Sequence, residues 1–460
     1  MTHRDFHRAR SGGSGRLLPL LALAATVPLA ACDLDRVLDV NDPEVATPGS
    51  LTGKSALPTI LAGALGDFAV AYSGSNGGNP VGIGNEGLVN FSGLLADEFL
   101  NTETFTDRID IDSRQIQHDN GSLDAVMLSA QRARASADRG VERFAEFDPN
   151  TTGHATVLNL SGLMYVLLGE NFCSGVPTSS ISDAGSITYG EQEDTDQMWA
   201  RAIARFDAAL AITAASADQQ NLAKVGKGRA LLNAGDRAGA AAAVAGVPLA
   251  FNFVIDHTTN TIRQNNGVFA FSTQQERWGV PQSEGTNGLN FQGAGDPRVQ
   301  SMRTPATNVG FDGVTPIFFQ QKYTNESADA LVASGLEAEL IRAENLLATS
   351  PAAWLTALNT LRAAPPAYTG VTAPLAPLAD PGSPTARENL HFRERAFWLY
   401  LTAHRLGDLR RLTRDYSRGA ETVFPTGSYH KGGVYGSDTS LPITIGEDSN
   451  PNFAGCLPET

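Results

Sequence analysis

The stretch AENLLATSPAAWLTALNTLR, residues 343–362, carries two runs of apolar residues at helical spacing, divided by Ser350-Pro351. Proline has no amide hydrogen and its fixed φ suits the first helical position, so Pro351 opens a second helix. The same arrangement recurs in GRALLNAGDRAGAAAAV (228–244), where Gly235-Asp236 separates two alanine-faced helices and Pro248 follows as a stop. Ala, Leu and Gly at the packing positions let such helices approach closely. Working outward, helical patterns also cover GSLDAVMLSAQRARASADRGVERFAEF (121–147), TVLNLSGLMYVLLGENF (156–172), MWARAIARFDAALAIT (198–213) and DALVASGLEAELIRAENLLAT (329–349). RENLHFRERAFWLYLTAHRLGDLRRLTR (387–414) reads as one long helix. Helix–turn–helix units at unequal intervals predict a mainly α fold, a tetratricopeptide-like scaffold with little β. Two segments interrupt it: a Pro-rich run at 365–384, and an irregular region at 249–325 rich in Gly, Asn, Gln and Phe. The second is far longer than an ordinary connection, and loops of that length usually carry function.

The chain has 460 residues, of which 18% are charged, against about 25% in an average globular protein. That excludes a highly charged disordered chain. The formal net charge of −15 argues against binding nucleic acid through phosphate neutralisation. At the start, Arg4, Arg8, Arg10 and Arg16 precede an apolar run, Leu17 to Ala30, too short to span a bilayer. Small residues then lead into Cys32, in the manner of a bacterial lipobox, whose cysteine is acylated and becomes the mature N-terminus. The expected organisation is therefore a signal peptide at 1–31, a lipid-anchored tether at 32–55 and one helical domain at 56–460. Asp33 leaves open whether the anchored protein stays at the inner membrane or is exported. Two further cysteines, Cys173 and Cys456, lie in a chain bound for an oxidising compartment. They either pair or remain separate buried thiols, and their spacing to other Cys and His suits no metal.

Familiar catalytic motifs do not survive inspection. GIGNEG, with Gly82, Gly84 and Gly87, has the letters of a dinucleotide fingerprint but sits in the Gly/Asn-rich loop 72–87 with no strand before it. GSLTGKS (49–55) is one residue short of a phosphate loop. The acids Asp97, Glu98, Asp107, Asp110 and Asp112 offer carboxylates for acid/base chemistry or calcium, but read first as solvated acids and helix caps. The eight histidines are scattered without pairing, so no metal or cofactor is expected.

Three segments together resemble the SusD/RagB family. The first is LDVNDPEVATPGSL (38–51), just after Cys32. The second is the helix pair at 337–363, with Glu339, Arg342, Ala343 and Glu344, then Leu358, Asn359 and Arg362. The third is RERAFWLYLTAHRLGDLRRL (393–412), with Glu394, Arg395, Arg405, Asp408, Leu409 and Arg410, closed by Pro442-Ile443, Glu447 and Asn450-Pro451. His404 stands where the family pattern has glycine, and the 249–325 region matches only at Gly295-Asp296-Pro297-Arg298. On a helix Arg405 and Asp408 are spaced to pair at i, i+3, which makes the signature a set of fold-holding residues.

The resemblance implies an outer-membrane lipoprotein facing the cell exterior. Such a protein captures an oligosaccharide or peptide and delivers it to a SusC-like TonB-dependent transporter, without catalysis. A surface that holds an oligomer needs flat aromatic rings and hydrogen-bonding groups. Trp199, Trp354 and Trp398 fall in helical runs and read as core. Trp278 lies in the irregular insertion, and with Arg277, Asn287, Asn290 and Phe291 it is the first candidate contact, unless it only plugs the loop onto the helices. Tyr72 with its loop to Asn79, and Asn101 with its segment to Arg108, come second. The rival readings are a lipid-anchored glycan hydrolase using Asp97, Glu98 or Asp107, and a helical-repeat adaptor that binds protein alone.

Overall fold

Helix starts coincide with capping residues. Asn120, Thr151, Asp194, Ser216, Asp236, Ser334 and Ser383 each accept a hydrogen bond from a first-turn amide, and Asp194 forms a full capping box with Gln197. Pro351 occupies the first turn of its helix. The computed structural model describes residues 51–76, 85–182, 186–303 and 308–458. Its main helices are Leu57–Ser73 (α1), Gly87–Leu95 (α2), Thr106–Asp112 (α3), Gly121–Phe147 (α4), Thr152–Asn171 (α5) and Thr195–Leu210 (α6). They continue with Ala217–Asn233 (α7), Arg237–Ala243 (α8), Gly335–Thr349 (α9), Pro351–Ala363 (α10), Pro384–Trp398 (α11) and Arg405–Asp415 (α12).

The helices stack in order. α1 packs on α4, α4 on α5, α5 on α6, α6 on α7, α7 on α8, α8 on α9, and α9 on both α10 and α11. This is the tetratricopeptide-like, mainly helical scaffold. Glycine makes the close approaches: a Cβ on Gly162 of α5 or Gly226 of α7 would stand 2.8 or 2.4 Å from the Phe206 ring of α6, which the two clasp. The same applies to Gly169 beneath Trp199, at 2.5 Å. α5, buried along nearly its whole length, is the central post. A smaller second core gathers Leu340, Trp354, Leu358, Val371 and Trp398 around α9, α10 and α11.

Strands are short two-stranded pairs among the described residues. Asn252–Ile255 runs antiparallel to Ala330–Ser334, so the start of the stretch expected to be helical from 329 is strand, and the helix begins at Gly335. Phe253, Val254, Ile255 and Val332, residues of high strand propensity, suit that pairing. Leu100–Asn101 pairs with Trp278–Gly279, bringing the 101–108 segment to the long insertion. Cys173 and Cys456 form a disulfide with Cα atoms 5.7 Å apart, which settles the open alternative in favour of pairing. It pins the C-terminal tail beside the end of α5, where Leu441 exchanges backbone hydrogen bonds with Asn171 and Cys173.

The helix expected over 387–414 breaks at 399–404, between α11 and α12. Leu401 and Ala403 have φ of 53° and 55°, a left-handed conformation costly for residues with a Cβ. Buried polar groups hold it. Leu401 N–H donates to Glu98 Oε1 at 2.8 Å, and its carbonyl accepts from Tyr323 at 2.9 Å. The Thr402 carbonyl accepts from Tyr72, and the Ala403 carbonyl from Arg229. Arg405 does not pair with Asp408, although both lie in α12. It forms a bidentate ion pair with buried Asp97, at 2.6 and 2.8 Å, while Asp408 holds Arg395 and Arg411. The stripe of Phe397, Leu401 and Asp408 is likewise divided.

The remaining signature residues also join elements. Glu394 lies between Arg362 and Arg298, the arginine of Gly295-Asp296-Pro297-Arg298. Asn359 holds the backbone of Leu378 with both ends of its amide. Arg410 donates to the carbonyls of Gly169, Glu170 and Phe172, which end α5 without intrahelical partners. Arg342 pairs with Glu339 within α9. His404, in place of glycine, sets its Nε2 3.0 Å from Oε1 of buried Glu337.

Candidate functional site

Three distant segments are laced together on one face. Thr102 N–H donates to the Arg277 carbonyl at 2.8 Å, Phe311 N–H to the Glu276 carbonyl at 2.9 Å, and Asp312 N–H to the Thr102 carbonyl at 2.7 Å. Gly310 is required at this crossing, since a Cβ there would stand 2.0 Å from Thr102 Oγ1. The result sets Phe105 and Phe311 side by side, ring centroids 6.0 Å apart, with 50% and 46% of their surfaces exposed. Val314 beside Phe311 in sequence is 74% exposed. Most large apolar residues here are buried, so two half-bare aromatic rings in one place are informative.

Arginines fix the rings from below. The Arg277 guanidinium lies 4.8 Å from the Phe311 centroid and 5.4 Å from that of Phe105. It is anchored by buried Glu103, whose Oε2 accepts from Arg277 Nη1 at 2.8 Å. Arg108 shares Glu103 and stands 5.2 Å from the Phe105 centroid. Against its burial, which acts to raise it, hydrogen bonds from Lys431 and Thr315 hold the Asp312 carboxyl below its usual range. The face thus offers flat apolar rings, a cation and charged hydrogen-bonding groups on a rigid base.

The sequence-derived candidates divide sharply here. Arg277 belongs to this face, and Asn101 stands beneath it, fully buried, its Oδ1 accepting from Glu103 N–H. Trp278 is also fully buried, stacked on Phe271 and tilted against Phe99, so its ring plugs the insertion onto the helices and offers nothing to a surface ligand. Phe291 is buried against Phe397 and Tyr400. Asn287 ties the carbonyls of Glu421 and Phe424. Asn290 reaches the surface but bonds Gly293 N–H within its own turn. Tyr72 is buried, donating to the carbonyls of Leu331 and Thr402. Cys32, Asp33, the far end of the Tyr72 loop, and Gly82 and Gly84 lie outside the described residues.

Asp97, Glu98 and Asp112 are buried rather than solvated. Asp97 is bound to Arg405, and Asp107 Oδ2 accepts from Ser122 N–H at the start of α4. Glu98 is pushed up to about 8 by burial, against the Leu401 amide that bonds it. The three acids of the hydrolase reading are therefore committed to holding backbone and an arginine.

Two clefts lie elsewhere. One of about 360 Å³ has Arg298, Lys322, Tyr323, Tyr368 and Trp398 in its wall, and one of about 600 Å³ lies by Asp236, Glu344 and Tyr416. In the first, Arg298 is bound to Glu394, Lys322 to the Tyr400 carbonyl and Tyr323 to the Leu401 carbonyl, so these three groups are already used by the fold.

Sequence reasoning missed Phe311 and Val314 altogether. Phe105 fell within the 101–108 segment, but one phenylalanine among 21 carries no signal of exposure. No family model and no curated protein matches the chain. Solved structures do. A SusD superfamily protein from Parabacteroides distasonis is similar with a TM-score of 0.63 at 12% identity, covering 88% of this chain and 99% of its own. A laminarin-binding SusD-like protein follows at 0.60 and 15%, covering 88% and 99%. Surface glycan-binding protein A from Bacteroides uniformis follows at 0.59 and 13%, covering 87% and 99%. Matching 99% of the length of each of these proteins with 87–88% of its own, the chain has the SusD-like fold.

Proposed function

We propose that the protein binds an oligosaccharide at the face formed by Phe105, Phe311 and Arg277, and passes it to a SusC-like TonB-dependent transporter. In this reading Cys32 carries the lipid that holds it to the outer membrane, facing the exterior. The observation that carries the proposal is the pair of half-exposed rings braced by arginine on a SusD-like scaffold. A pyranose ring has an apolar C–H face that stacks on a flat aromatic ring, while its hydroxyls take hydrogen bonds from groups such as the Arg277 guanidinium. Two rings about 6 Å apart suit neighbouring sugar units of a chain. Glycan binding by two structural neighbours supports a sugar over a peptide. The burial of Asp97 and Glu98 supports capture without hydrolysis.

The test is calorimetric titration of the full chain in detergent with laminarin and a panel of other soluble glycans. Phe105→Ala and Phe311→Ala are each expected to weaken the bound glycan about tenfold, roughly 1.4 kcal/mol, with Tm unchanged. A glycan bound equally well by the double variant would move the site elsewhere. Co-purification of a barrel transporter from native membranes checks the second half of the proposal.

A further inference from the structure

Behind this face, three residues from distant parts of the chain meet. Asp112 ends α3, Glu284 lies in the long insertion, and His430 lies in the C-terminal segment. One donor atom from each falls within 4.8 Å of the other two. The two carboxylates are buried, yet each keeps an oxygen with no hydrogen-bond partner: Asp112 Oδ1 and Glu284 Oε1. Their other oxygens are taken. Tyr429 donates to Asp112 Oδ2 at 2.6 Å, and Tyr435 donates to Glu284 Oε2. His430 Nε2 stands 2.7 Å from the Asn101 carbonyl, an acceptor only, so this nitrogen carries the proton and Nδ1 keeps a lone pair.

Many of the fold's other buried acids are neutralised by arginine, as at Asp97, Glu170, Glu344, Glu394 and Asp408. Asp112 and Glu284 form no such pair among the described residues. The neighbouring cation, Lys431, is engaged by Asp312. Two buried carboxylates side by side with no counter-charge are costly.

We propose that Asp112, Glu284 and His430 form a site for a single divalent transition-metal ion of the Zn²⁺ or Mn²⁺ type. Two carboxylate oxygens and one imidazole nitrogen suit these ions better than the all-oxygen shells of Ca²⁺ and Mg²⁺. Ligand bonds of about 2.0–2.2 Å on a tetrahedral ion put its donors about 3.3–3.6 Å apart, so a cluster whose donor atoms lie within 4.8 Å of one another closes onto the ion by side-chain movement of at most about 1.5 Å. Each donor already has its outer partner: a tyrosine hydroxyl on each carboxylate and a backbone carbonyl on the imidazole, the arrangement that orients metal ligands. His430 is exposed and gives the ion its way in. The ion would fasten the C-terminal segment and the insertion to α3, directly beneath Asn101 and the aromatic face. The proposal stands on these residues and does not depend on the glycan reading.

The experiment needs no sugar. The full chain in detergent is stripped with EDTA, dialysed, and titrated with ZnCl₂, MnCl₂ and CaCl₂ by calorimetry, with Tm followed in parallel. Binding of one equivalent of Zn²⁺ or Mn²⁺ with a rise in Tm is expected. Asp112→Asn, Glu284→Gln and His430→Ala should each weaken it by more than the roughly 10–100-fold that loss of an outer partner costs. His430→Ala alters an exposed side chain and keeps the test valid if a buried variant fails to fold. No binding by the wild type, binding that survives in all three variants, or equal affinity for Ca²⁺ would overturn the proposal.

Discussion

Glu98 shows how a single side chain can be bound to the fold and still set its pH response. It is fully buried, accepts from Leu401 N–H and keeps Oε2 without a partner. Burial, with the negative charge of Asp97 adding to it, raises its pKa from 4.5 to about 8, against the Leu401 amide, Arg405 and Lys322. The folded protein therefore holds a proton that the unfolded chain releases. Stability from this group is full below pH 4.5 and is lost as pH rises through about 8. Lys322, lowered to about 8 by burial, adds its own pH dependence only from about pH 8 upward. Glu98→Gln keeps the acceptor for Leu401 and cannot ionise. Its Tm relative to the wild type should rise steadily between pH 5 and pH 8. A constant offset across that range would show that Glu98 does not titrate there.

Standing alone in an irregular loop, Trp278 reads in sequence either as a ligand contact or as a plug that packs the loop onto the helices. A large apolar ring gains most from burial, about 25 cal/mol per Å², and a loop that packs on helices uses it as its anchor. Phe105 and Phe311 lie half-exposed on segments fixed by the backbone lacing of Thr102, Glu276 and Gly310, with the Arg277 and Arg108 guanidinium groups against their rings. Nothing in the local sequence distinguishes these phenylalanines from the buried ones.

Among the elements, α12 depends most on what lies outside it. Its first residue, Arg405, grips Asp97 just after α2, and α12 packs on both α2 and α5. The signature that marks this helix in sequence is a set of bolts: Arg405 to Asp97, Asp408 to Arg395 and Arg411, Arg410 to the end of α5. Arg405→Ala leaves Asp97 charged, buried and unpaired. Breaking one partner of a buried pair costs about 3–5 kcal/mol, so the variant should unfold at markedly lower denaturant by circular dichroism. Wild-type stability combined with lost glycan binding would instead make Arg405 a ligand contact. The same strong interactions explain why α11 and α12 are two helices. Helical periodicity continues through LYLTAH, but the hydrogen bonds offered to residues 401–403 by Glu98, Tyr323, Tyr72 and Arg229 outweigh it.

Over the whole molecule, the Cys173–Cys456 bridge closes a loop of 283 residues. It fastens the tail, which also supplies His430 and Lys431 to the face described above, against the central helix α5. Cys456→Ser is expected to lower stability by about 2–4 kcal/mol in urea unfolding, with no effect of added reductant on the variant. Equal stability of wild type with and without reductant would mean that the tail is held by its hydrogen bonds alone.

The helical scaffold was written in local patterns: caps, apolar spacing, Pro351, Gly235, and the small residues that let α5, α6 and α7 touch. Those signals act over a few residues and need no knowledge of the rest of the chain. The signature arginines and acids were also visible, as residues that hold the fold, though their partners were not: Asp97 lies 308 positions from Arg405. Only tertiary structure decided which aromatic rings stay in water, that Cys173 meets Cys456, and that Asp112, Glu284 and His430 converge. Exposure and convergence are properties of how loops cross in space, and pairs separated by hundreds of residues leave no local pattern from which to read them.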